Sequence, residues 1–174
     1  MPTIIDSYVR QHNELTIFLD TNKEISLKSD ADRGFTKVLI LACASYFEDR
    51  IIQIISEYSS VITNSNKLIL SFIKNKGLER QYHTLFDWKE NNANKFFSYF
   101  GDELKSKHKV DLKSSNDLMC YEQDFMFLGR VRNILVHSNF ASAAVEETHE
   151  EIYEKFKNAI KFIEYIESIF TIEL

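Results

Sequence analysis

An all-α fold, arranged as an antiparallel helical bundle, is what this chain predicts, on three observations. Pro occurs once and Gly four times in 174 residues, well below ordinary usage, so few helix breakers are present. Apolar residues recur at spacings of three and four along several long stretches, the period of a helix with one buried face. No stretch shows the strict alternation of a half-buried strand. One domain spanning residues 1–174, with a sizeable core, suits this length.

Taken in order, the first helix covers Thr3 to Asp20, its ragged stripe made by Ile4, Tyr8, Leu15, Phe18 and Leu19. Thr21-Asn22 breaks it. The second helix takes Asp30 or Asp32 as its cap and carries apolar residues from Phe35 to Ile55, interrupted by Glu48, Asp49 and Arg50. A third runs from about Asn66 to Lys76 and stops at Gly77.

Residues 77–117 read as a partly irregular insert. Its aromatics could stack on bases, but Phe96, Phe97 and Phe100 have the spacing of a buried helix face, which favours core packing. Ser114 to Asp117 offers capping chemistry before the next helix, about Tyr121 to His137. The last helix spans about Val145 to Ile172, with Ile152, Phe156, Ala159, Ile163 and Ile166 among its inner residues.

The net charge of −5 argues against a broadly basic nucleic-acid surface. One concentrated basic segment stands out, Lys105 to Lys113. It reads either as a solvated loop or frayed helix, or as a phosphate-tracking edge with Lys105, Lys107 and Lys109 as its RNA contacts. Cys43 and Cys120, 77 positions apart in apolar surroundings, read as buried thiols of a reducing compartment. The beginning of the chain does not read as a signal peptide, and no run is long and apolar enough to cross a membrane, so a cytoplasmic, soluble protein is expected.

The helix ending at His137 carries the chemistry. Its apolar face holds Tyr121, Phe125, Leu128, Val131, Leu135 and Val136, and Arg132 falls in the middle of that face. A guanidinium keeps its charge, and an unpaired buried charge is very costly. Arg132 therefore needs an acid, an interface or an anionic ligand; Glu48, or failing that Asp49, is the expected partner. Arg130, Asn133 and His137 cluster beside the same face, and Asn133 and His137 are close enough to touch. The helix dipole accounts for Arg130 and His137 near a C-terminus, but not for Arg132. His12, His83, His108 and His149 lack metal-ligand spacing and read as surface or packing residues; no metal or cofactor is expected.

Arg132-Asn-Ile-Leu-Val-His137 resembles the Arg-x4-6-His motif of the HEPN superfamily, including the polar residue after the arginine. Leu41 to Asp49 and the long amphipathic helix after the motif look most like its RiboL-PSP branch, and the likeness covers roughly residues 30–172. The resemblance implies a helical bundle that dimerises with two motifs facing one cleft. It further implies a metal-independent endoribonuclease of toxin-antitoxin, abortive-infection or related defence systems, with RNA as substrate and an antitoxin protein as possible partner. Arg132, Asn133 and His137 carry over as catalytic residues; Glu48 corresponds to the family's acid in the early helix, and Arg130 supports them. The rival expectation is a HEPN-like dimerisation or binding module that does not cut RNA.

Overall fold

A computed structural model describes residues 2–79 and 81–171. These form eight α-helices and a π-helical turn, with no strand among the described residues. Helix α1 (Ile4–Thr21) starts at Thr3, which shares a reciprocal capping box with Asp6. A turn at residues 22–24 reverses the chain into α2 (Ile25–Ile62), a helix of 38 residues. Neither Asp30 nor Asp32 caps it, contrary to the sequence expectation. Both lie inside the helix, where Asp30 pairs with Arg33 and Asp32 accepts a hydrogen bond from His12 at 2.8 Å.

Asn66 caps α3 (Lys67–Ile73), which buries none of its residues, and a π-turn at Lys74–Leu78 ends it. Short helices α4 (Tyr82–Leu85) and α5 (Asn94–Ser98) follow. Gly101, at φ 106°, makes a left-handed step that other residues resist, and α6 (Asp102–Ser114) starts after it. The insert is thus irregular only up to Gly101, and the basic segment is a continuous helix rather than a loop. Ser115 caps α7 (Asn116–His137), and Thr148 caps α8 (His149–Phe170) through a second capping box with Glu151. The expected end of the last helix at Ile172 lies outside the described residues.

Helices α1, α2, α7 and α8 enclose the core. Phe125 packs on Phe162 while Phe127, further along α7, lies under Lys155, earlier on α8, so α7 and α8 run in opposite directions. By contrast Phe47 stacks on Phe156, Arg50 binds Glu167 and Tyr58 packs on Phe170, so α2 and α8 run the same way. Phe86 and Phe96 stack at 4.9 Å and join Phe125 at the bundle's side, the core role expected of the insert's aromatics. Burial of such rings, worth ~1.5–3 kcal/mol for each side chain, fastens the insert to α7. Cys43 is buried, and burial pushes its thiol well above the ordinary range. Cys120 is exposed, against expectation, because α7 turns that side outward, toward Asp124 one turn on.

Candidate functional site

The last two turns of α7 carry the motif residues, and Gly129 determines what packs beside them. A Cβ there would stand 1.9 Å from the Trp88 ring; only a glycine lets the indole lie against the helix. The Trp88 indole N–H donates to the His83 carbonyl at 3.2 Å. Tyr82 and His83 are thereby returned to α7 one turn before Arg132. Arg130 reinforces this seam by donating to Asn91 Oδ1 at 2.7 Å, so its role is at the insert.

Glu48, Tyr82, His83, Arg132, Val136 and His137 line one open groove of about 340 Å³. Arg132 is half-buried and His137 exposed, so a guanidinium and an imidazole share a water-accessible surface within one subunit. Arg132 Nη1 donates to Asn133 Oδ1 at 3.0 Å. Asn133 therefore steadies the arginine rather than the histidine. The expected ion pair fails: among the described residues neither Glu48 nor Asp49 forms a salt bridge with Arg132. Glu48 reaches only the same groove, and Asp49 accepts from Gln53 at 2.7 Å on its own helix. Solvent explains the difference, since the half-buried guanidinium is not sealed in the core and needs no compulsory acid. Val136 is likewise 49% exposed, so the apolar face ends before the motif does.

Tyr82 and His83 were not singled out as site residues by sequence reasoning. Tyr82 is fully buried, and burial raises its phenol far above the ordinary value; Glu48 adds to the rise and Arg132 opposes it. The hydroxyl is thus a proton holder beside the groove. The usable signal for both residues was Gly129, a glycine inside a helix, which marks close approach of another segment.

Lys105, Lys107 and Lys109 lie on α6, whose His108 faces Glu122 on α7. Glu122 precedes His137 by 15 residues, roughly 22 Å along the helix axis. The structure does not bring these lysines into the groove. His108 and His149 are buried, as is His12, and His12, Asp32 and His149 meet on three different helices, a cluster that sequence spacing hid.

Comparison with curated proteins and with solved structures gives no match. The RiboL-PSP-HEPN family model matches residues 6–171, extending the likeness through α1 to nearly the whole chain. With helices throughout and the Arg-x4-His spacing at the end of α7, the chain belongs to the RiboL-PSP-HEPN family.

Proposed function

We propose that this protein is a metal-independent endoribonuclease, acting as a toxin or defence RNase, whose site is the groove at the end of α7. The observation that carries the reading is that Arg132, His83 and His137 line one open groove. RNA carries its own nucleophile. A histidine removes the 2′-hydroxyl proton, the oxygen attacks the adjacent phosphorus, and the bond to the 5′-oxygen breaks as that oxygen takes a proton from a second acid. The products are a 2′,3′-cyclic phosphate and a 5′-hydroxyl. Imidazole is suited to both transfers near neutral pH. The Arg132 guanidinium, oriented by Asn133, balances charge developing on the phosphoryl oxygens.

Two groups compete for the second proton transfer. His83 supplies one from the same subunit. The partner's motif supplies another if two subunits pair so that their grooves merge, and exposed Ile134, Val136 and Phe140 beside the motif give such pairing an apolar surface. Either arrangement uses His137. A neighbouring antitoxin belongs to the same reading.

The test is cleavage of total RNA in EDTA by wild type, His137→Ala and His83→Ala, with the product ends identified. Chelator-resistant cutting to cyclic phosphates that disappears in His137→Ala supports the nuclease. Undiminished cutting in that variant, or inert wild-type protein, returns the chain to a binding module. Activity of an obligate monomer would assign the second transfer to His83.

A further inference from the structure

We propose that His12, Asp32 and His149 form a binding site for a divalent cation of the zinc class, tying α1, α2 and the start of α8 together and using none of the residues that line the groove. Their donor atoms all lie within 4.8 Å of one another. His12 Nε2 stands 2.8 Å from Asp32 Oδ1, and His149 Nδ1 stands 3.9 Å from the same oxygen. Ligands around tetrahedral zinc, at ~2.0–2.2 Å from the metal, are about 3.3 Å from each other. The first gap must widen and the second close by about half an ångström, and the gap between the two imidazoles, at most 4.8 Å, must close by up to about 1.5 Å, the scale of side-chain rotations. Two imidazoles and a carboxylate are a donor set that suits zinc and its neighbours in preference to calcium or magnesium.

The surroundings resemble those of a built site. Both histidines are 6% exposed, which holds the rings in place, and Phe35 stacks on His12 at 3.8 Å. The other nitrogen of His149 lies 3.3 Å from Glu150 Oε1. A carboxylate on the remote nitrogen is the usual companion of a metal-bound imidazole, fixing its tautomer. Asp32 and His149 also line a large open cavity of about 870 Å³, from which water can enter as fourth ligand. Five carboxylates border that cavity (Asp30, Asp32, Glu146, Glu147 and Glu150) against two cations, Arg33 and Lys37, so the local field favours a cation. When the ion enters, it replaces the hydrogen bond between His12 and Asp32, and the proton on Nε2 moves to the other ring nitrogen.

Asp32 and Glu48 are sixteen residues apart on α2, roughly 24 Å, and none of the three ligands lines the groove, although Lys37 of the adjoining cavity binds the Phe140 carbonyl three residues after His137. The role is structural: three distant segments of chain are held at one point, and binding adds to folding stability.

The experiment uses full-length protein stripped with EDTA and then freed of chelator, titrated with Zn2+ by calorimetry and with Co2+ by visible absorption. The expected result is one ion per chain, the intense d–d bands of a tetrahedral Co2+ site, and a raised Tm on Zn2+ addition. Asp32→Asn, at a carboxylate that is 31% exposed and so the ligand whose change disturbs packing least, abolishes the Co2+ bands while the far-UV spectrum stays helical. Glu150→Gln weakens Zn2+ affinity by roughly 10-fold or more. Absence of Co2+ bands in wild type, or bands that persist in Asp32→Asn, would overturn the site. RNA cleavage is read separately, in EDTA, so failure of the metal site and failure of the nuclease reading are distinguishable.

Discussion

The two halves of α7 treat polar side chains in opposite ways. In its first half, Glu122 is 1% exposed and fully engaged: Oε1 accepts from the Ala93 amide at 2.7 Å and from His108 Nε2 at 2.8 Å. His108 Nδ1 meets the Tyr165 hydroxyl, which donates to Asp111 at 2.9 Å. Burial and the Asp111 carboxylate both push the Tyr165 phenol upward. In the second half, Arg132 has one side-chain hydrogen bond, to its neighbour Asn133, and His137 faces solvent. A buried network whose members are all satisfied specifies a fold. Polar groups left with spare donors at an open surface are available to a ligand. One helix therefore does both jobs, the sealed end holding the insert and the open end presenting the motif.

The largest effects should separate these ends by readout. His137→Ala is expected to lower RNA cleavage by ~100-fold or more, the usual loss for a general acid or base. Because the imidazole is exposed, its Tm should stay near wild type. Arg132→Ala should behave similarly. Glu122→Ala should do the reverse: it leaves His108 Nε2 and the Ala93 amide unpartnered in a dry interior, destabilising by about 3 kcal/mol, measured by urea unfolding. A His137→Ala variant that unfolds, or a Glu122→Ala variant as stable as wild type, would break the contrast.

Gly129→Ala lies at the boundary and should show both. The new methyl meets Trp88, so the ring must move, at ~1–3 kcal/mol. The His83 carbonyl then loses its indole partner, and cleavage should fall even where the protein remains folded. Tryptophan fluorescence reports the ring's displacement directly.

A smaller effect belongs to the seam between α1 and α8, where the Tyr153 hydroxyl donates to Asp6 at 2.6 Å. Burial works to raise the Asp6 carboxyl, but the Tyr153 hydroxyl and the Thr3 hydrogen bonds outweigh it and hold it below its ordinary value of 3.8. With the folded value depressed, the stabilisation is complete above that ordinary value and is lost as pH falls through the folded one. Tyr153→Phe should therefore lower the urea midpoint at pH 7, by ~1 kcal/mol in stability, with the gap to wild type shrinking toward pH 3. A constant gap would detach the effect from Asp6.

How much of this was legible beforehand depended on how far apart the cooperating residues lie in the chain. Thr3 and Asn66 cap helices where the sequence reading starts them, and Ser115 lies in the stretch read as capping chemistry, whereas the last helix was expected from Val145 and the Thr148 cap was missed. Arg132, Asn133 and His137 sit within two turns of one helix, and their shared end of it was equally readable. What was not readable was tertiary. The pairing of Arg132 with Glu48 rested on two interruptions of apolar runs, and a half-exposed guanidinium removed the need for it. His83 reaches the groove only because Trp88 fits against Gly129, 41 positions away. Asp32 looked like a helix cap because nothing local shows that His12 and His149 converge on it.

The smallest and most discriminating effect concerns α6. That helix meets α7 at Glu122, ten residues or roughly 15 Å before Arg132, beyond the reach of a dinucleotide placed in the groove but within that of a strand several nucleotides long. If they track its phosphates, replacing Lys105, Lys107 and Lys109 together should reduce the slope of log K against log salt for single-stranded RNA by about 2, at ~0.7 per lost contact. On the proposed mechanism the phosphate of a dinucleotide would meet Arg132 and the histidines alone, so its cleavage should not change. An unaltered slope on long RNA would make the basic face of α6 solvated surface and confine recognition to the open end of α7, whereas equal losses on both substrates would mean that α6 acts through the fold, by way of His108 and Glu122.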